Sequence, residues 1–97
     1  MKSAEEIKRI IAEYRPFLKE KFAVETIALF GSYSKGEQRK ESDIDILVSF
    51  SRLIDLFEFV ELENYLSEVL GSKVDLVMKD SLKPRIKDSV LKESVTI

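Results

Sequence analysis

Leu29-Phe30-Gly31-Ser32, then ten residues, then Asp43-Ile44-Asp45-Ile46-Leu47-Val48: the fold turns on how this stretch reads. Val24 to Phe30 is rich in β-branched and apolar residues and stops at Gly31, which predicts a strand running into a turn. Ser32 to Ser42 is polar and charged and contains Gly36, which predicts a loop with room for one helical turn. Ile44 to Phe50 predicts a second strand. Aspartate is depleted in strands, so Asp43 and Asp45, two apart at the head of an apolar run, need a reason. Strand side chains alternate, so the two carboxylates share one face while Ile44 and Ile46 point to the other, into the core.

Two carboxylates side by side repel each other unless a cation lies between them. That arrangement suits Mg²⁺, which takes carboxylate oxygens and keeps positions open for water and phosphate. Mn²⁺ accepts the same oxygen donors. Two such ions brace the attacking and leaving oxygens of a phosphoryl or nucleotidyl transfer. A third acid, Asp75, lies in a third predicted strand, Lys73 to Met78. Beside the second strand it becomes either the base for an attacking hydroxyl or a ligand to the second metal. Gly31 lets the backbone approach a phosphate closely, and the Ser32 hydroxyl adds a donor. Gly36 gives the loop a second bend, and Lys35, Arg39 and Lys40 make it basic, as a triphosphate requires. An acid-x-acid pair alone also fits a turn followed by a half-solvated strand. The combination of strand, Gly-Ser, gap, paired acids and a later strand acid is more specific.

Outward from this centre the chain alternates helix and strand. Ser3 with Glu6 reads as a capping box, and Ile7, Ile10, Ile11, Tyr14 and Leu18 follow helical spacing. Pro16 predicts that this helix ends near Arg15 or kinks there. Asp55 opens a second helix whose stripe is Leu56, Phe59, Val60, Glu63, Leu66 and Leu70, with Gly71 closing it. Pro84 suits the first turn of a third helix, with Ile86, Val90 and Leu91 on one side. Val95 to Ile97 predicts a short last strand or a frayed end. The sum is an α/β (α+β) domain, a small mixed β-sheet with helices packed on it. Phe30 reads as core. The run from Phe50 to Phe59 reads either as core or as an exposed patch that docks a partner or a second copy.

Composition narrows the function. With 97 residues the chain makes one domain, 1–97, and leaves little for a private substrate pocket, so the substrate brings much of its own binding surface. A net charge of −2 argues against a broad basic surface for nucleic acid. There is no Cys and no His, which removes thiol chemistry, the Ser-His-Asp triad and histidine metal ligation. No apolar run approaches a membrane span, and the charged, amphipathic start predicts a cytoplasmic protein.

Leu29-Phe30-Gly31-Ser32, Gly36 and Ser42-Asp43-Ile44-Asp45 resemble the signature of the DNA polymerase beta-like nucleotidyltransferases. More narrowly, the chain resembles a minimal nucleotidyltransferase (MNT) domain over nearly its whole length. The resemblance implies metal-dependent transfer of a nucleoside monophosphate, with ATP the expected donor. It implies that Asp43 and Asp45 hold Mg²⁺, with Asp75 as third acid, and that Gly31 and Ser32, with the loop of Lys35 and Gly36, contact the triphosphate. It also implies a partner: a HEPN-domain toxin, encoded nearby, that receives AMP on a tyrosine. Lys35 stands where many relatives carry Arg; it keeps the charge and loses the planar fork. The competing expectation is an antitoxin that neutralises by binding alone. Action on RNA ends is disfavoured by the acidic composition, and small-molecule modification by the absence of extra helical domains.

Overall fold

The computed structural model describes residues 3–31 and 43–97. Helix α1 (Ala4–Phe22) leads into strands β1 (Val24–Phe30) and β2 (Ile44–Phe50). Helix α2 (Leu56–Leu70), strand β3 (Val74–Met78), a short 3₁₀ turn, helix α3 (Pro84–Glu93) and strand β4 (Val95–Thr96) follow. The sheet order is β3-β2-β1-β4. β1 is antiparallel to both β2 and β4, whereas β2 and β3 are parallel. A parallel pair needs a crossover, and α2 supplies it. The mixed sheet expected from the sequence is therefore present.

The core lies between one face of the sheet and the two long helices. Ile7, Ile11, Leu18 and Phe22 of α1 and Leu62, Leu66 and Leu70 of α2 meet Ile27, Leu29, Ile44, Ile46, Val48, Val74 and Leu76. Side-chain alternation puts Asp45 and Asp75 on the opposite face from this core. The acids are thus held by a rigid layer and kept clear of the helices that stabilise it.

Three expectations need correction. Of the two expectations at Pro16, an end near Arg15 is overturned: helix α1 runs through the proline to Phe22. A proline inside a helix costs about 3 kcal/mol or more. Beyond it, Leu18 and Phe22 are buried, each contributing roughly 1.5–3 kcal/mol, which offsets the loss. Phe17 and Phe22 also pack on Tyr65 of α2, with ring centroids 5.3 and 6.1 Å apart. The α2 stripe is rotated from the predicted one: Leu62, Leu66 and Leu70 are buried, whereas Leu56 and Val60 are exposed. Phe30 is half-buried and outside the core, on the face that carries the acids.

Glu63, which interrupts the predicted stripe, has a structural task. Its Oε2 accepts from Leu76 N–H at 3.0 Å on the outer side of β3. One turn on, Ser67 Oγ accepts from Val74 N–H at 2.9 Å and donates to Glu63 O at 2.9 Å. Alternate amides of β3 are thereby satisfied by α2, and Asp75 sits between them. Glu63→Leu is expected to leave the Leu76 amide unpaired and cost about 1–3 kcal/mol. The check is a lower urea midpoint at unchanged slope; an unmoved midpoint would mean that water replaces the carboxylate.

Candidate active site

Strand register assembles the site. Phe30 of β1 pairs with Asp45 of β2, and Asp45 pairs with Asp75 of β3. Three strands thus align Phe30, Asp45 and Asp75 in one row, with strands about 4.8 Å apart. Asp43 lies two residues before Asp45, just ahead of β2, on the same face. The expectation that Asp75 stands beside the paired acids therefore holds in the pairing itself.

Asp45 is the electrostatic centre. Its pKa is raised above the ordinary aspartate value, first by burial and then by the charges of Asp75 and Asp43. Its carboxylate packs against the backbone of Gly31, where the chain leaves β1 at φ +71°. A Cβ built on Gly31 would collide with Asp45 Oδ2 and stand 3.1 Å from Asp45 Cγ. Gly31 is required twice, for a left-handed backbone and for the space that Asp45 fills.

The donor set fits a divalent cation. The oxygens are hard, and among the described residues the charges of Asp75 and Asp43 oppose that of Asp45. Among the described residues, no group of three acidic side chains is placed to hold a metal ion by itself. Mg²⁺ does not need one, because it takes one or two carboxylates and completes its shell with water and substrate phosphate. Lys73, missed by the sequence reading as a neighbour of the site, lies 3.8 Å from Asp43 Oδ2 and is largely exposed. Its position at the head of β3 was the available signal.

Ser32, Lys35 and Gly36, with the rest of the basic loop, lie outside the described residues. A cleft of about 540 Å³ lies elsewhere, lined by Arg15, Pro16, Lys19, Val24, Glu25 and Ser51. It opens at the start of β1, the opposite end from Gly31, and contains none of the three acids. Among the described residues no helix is long and apolar enough to cross a membrane.

Comparison with known proteins bears on the family and the fold. The nucleotidyltransferase domain model matches residues 11–97. Protein adenylyltransferase MntA of Thermococcus cleftensis is 47% identical over 100% of this chain and 98% of its own length. A solved toxin-antitoxin structure with AMP-PNP is 32% identical and covers 92% of this chain and 70% of its own, with TM-score 0.75. The complex of the tri-AMPylated Shewanella oneidensis HEPN toxin with its MNT antitoxin is 28% identical, with TM-score 0.60. That likeness covers 96% of this chain and 66% of the other.

Proposed function

The chain belongs to the nucleotidyltransferase domain family, and we propose that it moves AMP from ATP to a tyrosine hydroxyl of a HEPN-domain toxin, acting as the antitoxin of that protein. The observation that carries this reading is the row Asp45–Asp75 with Asp43 on the same face. The adenylyltransferase relative and the AMPylated toxin complex support the choice of group and acceptor. The AMP-PNP complex supports ATP as donor.

Asp43 and Asp45 are the residues that would hold Mg²⁺, or Mn²⁺, with Asp75 contributing to a second ion. Bound there, such ions would supply charge stabilisation at the attacking and leaving oxygens. Gly31 and Ser32, with Lys35 and Gly36, hold the triphosphate. The tyrosine oxygen attacks the α-phosphorus, the bond to the β-phosphate oxygen breaks, and pyrophosphate leaves. Asp75 accepts the phenol proton. It is exposed, so an acceptor carried on another protein can reach it.

The test is to incubate the protein with Mg²⁺, α-labelled ATP and the HEPN-domain toxin of the same host, then weigh both proteins intact. AMP is expected on the toxin and absent with Asp43→Asn. Neutralisation without added mass would favour an antitoxin that works by masking.

A further inference from the structure

We infer that Lys73 changes partners during the reaction cycle: it pairs with Asp43 in the absence of a divalent cation, and turns to the phosphates of the donor when a cation is bound at Asp43. The inference rests on the transferase reading above and adds one residue to it.

The sheet register makes the pair. Asp45 is opposite Asp75 and Ile44 opposite Val74. Ile44 N–H donates to Lys73 O at 2.9 Å, which carries the same alignment one residue further. Asp43 and Lys73 are therefore neighbours on adjoining chain segments. Lys73 is two residues from Asp75, so its side chain belongs to the face that carries the acids. Across β2 and β3 one row of that face holds like charges, Asp45 and Asp75. The next row holds opposite charges, Asp43 and Lys73. Lys73 Nζ stands 3.8 Å from Asp43 Oδ2.

The contact is loose. A closed charge-assisted hydrogen bond measures about 2.7–2.9 Å, and this one is longer. The Lys73 side chain is 78% exposed and that of Asp43 45%. An exposed pair of this kind contributes little to stability. The ammonium is a compact charge on a flexible four-carbon stem, so it can leave Asp43 without uncovering apolar surface.

Asp43 cannot serve two positive charges well. A divalent cation held through Asp43 repels the ammonium and uses the same oxygens. The donor phosphates offer Lys73 a new partner close by. Oxygens on one Mg²⁺ lie about 2.0–2.1 Å from the ion in an octahedron, so neighbouring carboxylate and phosphate oxygens are about 3 Å apart. The ammonium thus has only a short way to swing from Asp43 to a non-bridging phosphate oxygen. The exchange couples the two ligands. Lys73 opposes the cation when it binds alone, and strengthens the hold on the nucleotide once the cation is in place.

The test compares the parent with Lys73→Met in two binding measurements, neither of which needs turnover. In the first, Mn²⁺ is titrated without nucleotide and the free ion is read from its paramagnetic resonance signal. Lys73→Met is expected to bind Mn²⁺ about two- to fivefold more tightly, the scale of an exposed ion pair. In the second, equilibrium dialysis gives the Kd of an ATP analogue with a methylene group between the α- and β-phosphorus, which cannot transfer AMP. With Mg²⁺ the variant should bind about tenfold more weakly, the low end of a hydrogen bond to a charged group. With EDTA it should bind as the parent does. Mg²⁺ also binds the analogue in solution, but equally for both proteins, so the comparison is unaffected. Thermal unfolding of the variant should match the parent's, because the pair is exposed. Unchanged or weaker Mn²⁺ binding overturns the proposal. An equal loss of analogue binding with Mg²⁺ and with EDTA also overturns it, in favour of a fixed phosphate contact. No loss in either condition overturns it in favour of a bystander. In those three cases the transferase reading stands; a parent that binds no analogue even with Mg²⁺ defeats that reading and this proposal with it.

Discussion

Asp45→Asn is expected to cut AMP transfer by about a thousandfold or more, the scale of removing a charge-stabilising group, and to raise thermal stability at neutral pH. The two effects have one cause. Burial and the charges of Asp75 and Asp43 raise the pKa of Asp45 in the folded protein. The folded state then prefers the protonated form more than the unfolded chain does. Ionised Asp45 therefore costs stability; the cost is absent below the unfolded pKa and complete above the folded one. Asparagine, always neutral, does not carry it. The unfolding temperature of Asp45→Asn should exceed that of the parent at pH 7, and the gap should close as pH falls below the unfolded aspartate value. Mg²⁺ should raise the unfolding temperature of the parent and leave the variant unmoved. A variant that is less stable than the parent at pH 7, or equally active, would refute the assignment of Asp45 as a strained metal carboxylate.

Gly31→Ala is the second large effect. At φ +71° an alanine costs about 1–2 kcal/mol in backbone strain. Its Cβ also claims the place of the Asp45 carboxylate, which must turn away or push β1 aside. Transfer should fall about a hundredfold, because displacement of a catalytic group by an ångström is worth that much. Activity should suffer more than the urea midpoint, which separates loss of geometry from loss of fold. Activity near the parent level would show that Asp45 does not depend on this contact.

The site was more legible in the sequence than some of the packing that supports it. Asp43 and Asp45 announced themselves because ionisable residues at i and i+2 in an apolar strand contradict its burial pattern. Asp75 was legible for the same reason, but its alignment with Asp45 depended on the third strand lying beside the second, which only the register decides. Helix α2 was misread because two phases fit its apolar residues: Leu56 and Val60 on one, Leu62 on the other. Glu63 held the answer, since an acid inside a stripe marks the boundary where helix meets strand. Pro16 misled because local propensity carries no information on Leu18, Phe22 and Tyr65, which meet only in the folded chain. Phe30 was misassigned because an aromatic at a strand end fits either face, and only the register with Asp45 decides.

The hydrogen bonds from Glu63 and Ser67 to β3 have a consequence for life at high concentration. A strand at the border of a sheet offers a row of free amides, a template on which another molecule's strand can grow. Here the amides of Val74 and Leu76 are already taken by side chains, and the opposite border is the two-residue Val95–Thr96, too short to nucleate pairing. Among the described residues, part of the hydrogen-bonding capacity on both flanks of the sheet is thus already used. Backbone pairing with another molecule is thereby disfavoured at both borders, while the acid-bearing end of the sheet face stays open to an acceptor.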